Sequence, residues 1–124
     1  MASILRVDTL TDASSNNSTA MSTINQGTAK AWVNFNGTGT IAIRDSFNTA
    51  SLTDGGTGNY DVNWTNNFGN TNYSFVGSDG YYGMCNTEPQ NLSTGEANMF
   101  SYNAASSNIL VDTHETGVAH GDLA

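Results

Sequence analysis

The feature that most constrains the fold is a pair of short alternating segments that meet at a Gly-Thr-Gly turn. The first segment spans Lys30–Asn36 and the second spans Thr40–Phe47. In an extended chain, Ala31, Val33 and Phe35 point to one side and the residues between them point to the other. Alternation with a period of two on both sides of a glycine turn predicts a β-hairpin with one buried face.

The remainder of the chain predicts more strands of the same kind. Asn, Thr, Ser and Gly make up nearly half of the 124 residues, and such short polar side chains disfavour helices and favour turns. Twelve aromatic residues, most of them inside alternating segments, argue against a disordered chain. Strands are expected at about 30–36, 40–47, 59–65, 72–77, 81–86, 97–103, 107–112 and 116–120.

We therefore predict an all-β protein with an antiparallel, jelly-roll-like β-sandwich over residues 28–124. A chain of this length holds one domain. The residues expected to supply the core are Trp32 or Val33, Phe35, Ile41, Ile43, Tyr60, Val62, Phe75 and Val111.

The beginning of the chain is predicted to be a separate element. Residues 1–12 form a docking segment with a strand at Ile4–Leu10, and residues 13–27 form a polar linker. A solitary strand must pair with something. It either adds an edge strand to its own domain or, as we favour, docks on a neighbouring subunit. The apolar residues that would carry this docking are Ile4, Leu5, Val7 and Leu10.

Charge excludes several classes of partner. The formal net charge is −8, with three Lys and Arg residues in the whole chain, so neither nucleic acid nor an anionic membrane is an expected partner. The sequence shows no signal peptide and no membrane span, which predicts a protein folded in the cytoplasm. The single cysteine, Cys85, cannot form an intrachain disulfide and is expected to be a structural thiol.

No catalytic, metal or cofactor site is predicted. His114 and His120 would lie on one face of a strand about 20 Å apart, too far to share an ion within one chain. The alternative is a metal site on a threefold axis, where three chains each contribute one copy of the same histidine. Paired carboxylates for glycoside hydrolysis need a cleft, and the available acidic residues are expected at turns and strand ends.

A sugar-contact site is the remaining candidate. Tyr81 and Tyr82 stand between glycines, next to Asp79 and a polar loop that contains Asn91. Aromatic rings beside amides and carboxylates can hold a sugar through stacking and hydrogen bonds to its hydroxyl groups. The alternative is that one of the two tyrosines packs in the core.

Three motifs carry a resemblance to a known family. They are Ala29-Lys-Ala-Trp-Val-Asn-Phe-Asn-Gly37, Gly55-Gly-Thr-Gly-Asn-Tyr60 and Gly117-Val-Ala-His-Gly-Asp122. They resemble a small β-domain of bacteriophage tail fibres and related virion proteins, with His120 where an aromatic residue is expected. The segment Ser3–Asp12 resembles N-terminal segments of marine phage fibre-type proteins.

The resemblance implies a non-enzymatic virion structural protein, assembled in the bacterial host cytoplasm. It implies a homotrimer that contacts other virion proteins and projects the β-domain for attachment to host-surface glycan, as a tail-fibre-like module. Part of the outer face of the Trp32 strand would then lie between subunits. The alternative within this family is a capsid decoration protein, either a cement or a head-fibre protein.

Overall fold

The computed structural model describes residues 3–80, 83–107 and 109–124. Among them are eleven strands, one short α-helix and two 3-10 turns. The strands are β1 (Thr9–Thr11), β2 (Ser18–Ala20), β3 (Ala31–Asn36), β4 (Ala42–Phe47), β5 (Thr49–Gly56), β6 (Asn59–Trp64), β7 (Ser74–Asp79), β8 (Gly83–Thr87), β9 (Glu96–Asn103), β10 (Ile109–Leu110) and β11 (His114–His120). The helix α1 is Met21–Gly27, and the 3-10 turns are Pro89–Asn91 and Ala104–Ser106.

Two antiparallel sheets face each other, which confirms the predicted β-sandwich. The first has the order β4-β3-β11-β7, and the second has the order β10-β9-β6-β5 with β8 also paired to β9. The chain passes from the first sheet to the second between β4 and β5 and returns between β6 and β7. It crosses again between β7 and β8 and returns to complete the first sheet with β11, whose strand lies between β3 and β7.

The alternation in β3 sets which face is buried. Ala31, Val33 and Phe35 point into the sandwich and are at most 1% exposed, whereas Trp32 points outward. Of the two residues proposed for this core position, Val33 is the buried one. The whole apolar core consists of Ala31, Val33, Phe35, Tyr60, Val62, Trp64, Phe68, Tyr73, Phe75, Ala97, Met99 and Ala119.

Part of the predicted core is wrong. Ile43 pairs with the buried Phe35 but is 36% exposed, because β4 is the edge strand of the first sheet and has a neighbouring strand on one side only. Ile41 packs against the core but is only partly buried, and Val111 is also partly exposed.

Some predicted strands also differ from those observed. Strand β5 was not predicted, because Leu52 is the one large apolar residue in its sequence Thr-Ala-Ser-Leu-Thr-Asp-Gly-Gly. The strand expected at residues 107–112 is reduced to β10, Ile109–Leu110.

The two ends of the sandwich differ in chemistry. At the end where β3 begins and β11 ends, which we call the proximal end, an aromatic cluster forms. Trp64 packs edge-on against Phe68, Tyr73 and Phe75, with ring centroids 5.6, 6.3 and 5.6 Å apart. Tyr73 donates a hydrogen bond to the Ser93 or Glu96 carbonyl oxygen. At the opposite, distal end, the buried polar residues Ser101, Thr113 and Glu115 lie near the rings of Phe35 and Tyr60.

The segment before the sandwich is folded rather than a simple linker. The strand predicted at Ile4–Leu10 is confined to Thr9–Thr11, and it pairs with β2 of the same chain. Backbone and amide N–H groups of residues 14, 16 and 17 donate to the Asp12 carboxylate and hold the turn between β1 and β2. The two strands form a sheet of their own, so the proposed edge strand on the chain's own sandwich is not observed.

Candidate functional site

The first candidate surface is the N-terminal arm, by which we mean residues 3–20. Every residue of the arm is exposed, including Ile4 at 74% and Leu5 at 79%. Val7 and Leu10 are exposed at 38% and 45%, so all four predicted docking residues have surface that another molecule could contact. The arm leads through α1 to the proximal end, where the Gln26 side chain donates to Asp122 at 2.7 Å. The arm is therefore free to contact another molecule.

The second candidate surface crosses the outer face of the first sheet. Trp32 pairs with Phe47 on one side and with Val118 on the other, and Val118 pairs with Val76. Because residues directly opposite each other in a sheet point to the same face, these four side chains form a continuous line, which we call the apolar row. Phe47 is 53% exposed, Trp32 36% and Val76 56%.

The apolar row borders a shallow groove and a polar boundary. Trp32, Val76 and Val118 line a depression of about 410 Å³ on this face. On the distal side, the next positions of the four strands are occupied by polar residues alone, namely Asp45, Asn34, Thr116 and Ser78. The row is thus a defined apolar strip, and exposed strips of this kind mark interaction surfaces.

Of the four residues predicted to contact sugar, the structure describes Asp79 and Asn91, which lie on different faces of the second sheet. Tyr81 and Tyr82 fall outside the residues that the structure describes. Asp79 ends β7 at the distal end, and its carboxylate accepts a hydrogen bond from the buried Ser101 hydroxyl at 2.9 Å. Asn91 lies in the 3-10 turn after β8 and lines a groove with Phe100 and Tyr102 on the outer side of β9, whereas Ser101, the partner of Asp79, is buried on the inner side of the same strand.

Asn91 instead belongs to a groove on the outer face of the second sheet. The groove encloses about 480 Å³, and its lining includes Phe100 and Tyr102 together with Asn86, Gln90 and Asn91. The two rings are neighbours on the outer side of β9, with centroids 6.3 Å apart and planes inclined by 37°. We call this site the aromatic groove.

The chemistry of the aromatic groove suits a polyhydroxylated ligand. Its volume lies within the range of small-molecule sites in proteins. Three amide side chains offer both donors and acceptors, and the Asn91 amide donates to the Glu88 carboxylate, which also lines the groove. Partly exposed rings provide an apolar surface beside these polar groups. Glu88 disfavours an anionic ligand.

A signal for Phe100 and Tyr102 was present in the sequence. Ala97, Met99 and Ser101 alternate with them along β9 and are buried. The period of two therefore places both rings on the outer face once the strand is assigned. The sequence did not predict that the 3-10 turn Pro89–Asn91 lies against β9. This placement brings Gln90 and Asn91 beside the two rings.

The distal interior holds a buried carboxyl group, Glu115. The residue is 1% exposed, and neither carboxylate oxygen has a hydrogen-bond partner in the described part of the chain. Burial raises the pKa of Glu115 to about 7, and the negative charge of Asp79 adds to this rise. Burial likewise raises the pKa of the nearby Cys85 thiol to about 12, so this cysteine is a poor nucleophile.

The remaining predicted polar residues form no reactive constellation. His114 and His120 both point to the outer face of β11, six residues apart on one strand. Among residues 3–80, 83–107 and 109–124, no group of three or more His, Cys, Asp or Glu side chains is arranged to hold a metal ion. Within the same residues, no helix is long and apolar enough to cross a membrane.

Comparison of the chain with protein-family models, with curated proteins and with solved structures gave no match.

Proposed function

We propose that this chain is a non-enzymatic structural protein of a bacteriophage particle, a tail-fibre-like module whose trimeric sandwich attaches to neutral glycan on the host surface. The observation that carries the attachment role is the aromatic groove, where two partly exposed rings lie beside three amide side chains. The phage context rests on the sequence motifs alone.

The binding mode follows from the groove's composition. A pyranose ring presents an apolar face of C–H groups, which stacks on Phe100 or Tyr102, while its hydroxyl groups exchange hydrogen bonds with the amides of Asn86, Gln90 and Asn91. The Glu88 carboxylate and the overall net charge of −8 oppose acidic sugars. Neutral hexoses and N-acetylhexosamines are therefore the expected ligands.

Weak binding at one groove suffices if several copies act together. Linking sites in one assembly raises the effective concentration of the second binding event to the millimolar range. The uncovered apolar residues of the arm provide the means of attaching the protein to the particle or to its own copies.

The test is a glycan array probed with the purified full chain and with Tyr102→Leu. Leucine keeps an apolar side chain on β9 but removes the aromatic face, so binding to neutral glycans should fall about tenfold, the effect of losing one stacking contact. Asn72→Ala, an exposed asparagine outside the groove, is the matched control and should bind as the wild type does.

The outcomes separate the candidate roles. Glycan binding could be retained in Tyr102→Leu but lost in the double variant Tyr81→Ala and Tyr82→Ala. That result would show that Tyr81 and Tyr82, rather than the aromatic groove, contact the glycan. If the wild-type chain binds no glycan and no host cells, but particles without it are less stable, the capsid decoration role replaces the attachment role.

A further inference from the structure

The apolar row and the arm are two uncovered apolar surfaces of one chain at one end of the sandwich. The row lies next to the proximal end, where the Lys30 N–H donates to the Ala119 carbonyl at 2.8 Å. The arm leaves the sandwich at the same end through α1. Within its own chain, the arm residues remain exposed and the row is not covered.

We infer that the arm of a second copy of this chain covers the apolar row, with Ile4, Leu5, Val7 and Leu10 against Phe47, Trp32, Val118 and Val76. This inference rests on the trimeric assembly of the proposed function and names the contact that would hold it together. Apolar side chains that are exposed on both partners become buried in the contact, which is the main driving force for association.

The outer face of the first sheet is too small to form a stable interface by packing against the same face of a second copy. Four strands spaced about 4.8 Å apart and about six residues long form a face of roughly 400 Å². A standard protein interface needs about 800 Å² from each partner. Contact between two sheet faces would therefore reach about half of that area, whereas an exchanged arm adds its own surface and that of the sandwich edge beside it.

Charge favours the same occupant. Residues 28–124 contain nine Asp and Glu residues and two Lys and Arg residues, so two sandwiches carry net charges of −7 each and repel one another. Residues 1–27 contain Arg6, Asp8 and Asp12, a net charge of −1. Docking an arm on a sandwich therefore meets less repulsion than docking two sandwiches face to face.

Symmetry points in the same direction. In a cyclic trimer every contact joins two different surfaces, because each subunit gives one surface to one neighbour and a second surface to the other. The row and the arm are such a pair. A contact of row against row would instead be self-complementary and would produce a twofold dimer.

Disulfide trapping between differently tagged chains tests the contact directly. Leu5→Cys in one chain is mixed with Val76→Cys or Phe47→Cys in the other under mild oxidation, and the mixed product is measured on a gel. The native Cys85 thiol interferes little because burial raises its pKa. The matched control is Leu5→Cys mixed with Ile109→Cys, since Ile109 is an equally exposed apolar residue on the second sheet. We expect mixed disulfides with at least one row position and not with Ile109.

Light scattering on charged variants provides the second measurement. Leu5→Glu and Val76→Glu should each weaken self-association about tenfold or more, because each would bury an unpaired charge in the contact, while Ile109→Glu should not. A wild-type monomer at micromolar concentration without mixed disulfides would overturn the inference. Association that is sensitive to Val76→Glu but not to Leu5→Glu would also overturn it, in favour of a row-against-row dimer. Glycan binding is measured in a separate experiment. Failure of the contact between arm and apolar row can therefore be distinguished from failure of the proposed glycan attachment.

Discussion

Replacing the buried Glu115 by glutamine should stabilise the protein at neutral and alkaline pH and leave it unchanged in acid. Glu115 is 1% exposed on the inner face of β11, with Asp79 opposite it in the neighbouring strand. Because burial disfavours the charged carboxylate, its pKa in the folded protein is about 7, against an ordinary value of 4.5. Glutamine has nearly the shape of the protonated acid and does not titrate.

The sign and the magnitude follow from proton linkage. Between the ordinary pKa and the raised one, the folded protein keeps the Glu115 proton and the unfolded chain has released it. The free energy of unfolding of the wild type therefore falls as pH rises through this interval and is level above it. At 1.36 kcal/mol for each pH unit, the loss amounts to about 3 kcal/mol. The Glu115→Gln variant does not lose this free energy of unfolding, because glutamine does not titrate.

Urea unfolding followed by tryptophan fluorescence measures the effect, since Trp64 lies in the core. Glu115→Gln should exceed the wild type by about 3 kcal/mol near pH 8.5 and by less than about 0.5 kcal/mol near pH 4.5. Glu96→Gln, at an exposed position on β9, is the matched control and should change little at either pH. A stability difference for Glu115→Gln that does not depend on pH, or a variant less stable than the wild type at high pH, would refute the reasoning.

Two further predictions concern the sandwich and the arm. Phe35→Ala should lower the free energy of unfolding by about 3–5 kcal/mol, because the ring is fully buried and packs edge-on against Tyr60 at 5.1 Å; a loss below about 1 kcal/mol in urea unfolding would contradict the assigned faces of β3. Deleting residues 1–12 should leave the near-ultraviolet circular dichroism of the sandwich intact but abolish incorporation into the particle, since these residues are exposed where the structure describes them. Unfolding of the sandwich on deletion would show that the arm belongs to its own domain.

On β3 and β6, the alternation of large apolar residues predicted the buried face correctly. Tyr60, Val62 and Trp64 on β6 all point inward as a period of two requires. Strand β5 escaped prediction because its pairing with β6 comes from backbone hydrogen bonds, and its one large apolar residue, Leu52, gives no period. Backbone hydrogen bonds do not require a particular side chain, so the residue types of this edge strand do not indicate its pairing.

The candidate surfaces were less accessible to prediction than the strands. The exposed apolar residues of the arm could be read directly, because they form a short isolated group. The apolar row could not, since Phe47, Trp32, Val118 and Val76 come from four strands and are aligned by three separate pairing registers. A single-residue slip in any one of these registers would have moved a member of the row to the opposite face.

Strand β11 shows why the row lies outside the core. Its inward residues are Glu115, Gly117 and Ala119, which contribute little apolar volume. At Gly117 a Cβ would stand 2.6 Å from the Phe75 ring, so only glycine lets that ring cover the middle of the sheet. The aromatic part of the core therefore comes from β3, β6, β7 and the loop between β6 and β7, whereas the largest residue of β11, apart from its polar ones, is the outward-facing Val118. The chain has few large apolar residues, yet it places four of them in line on an outer face, which is the arrangement typical of an interaction surface.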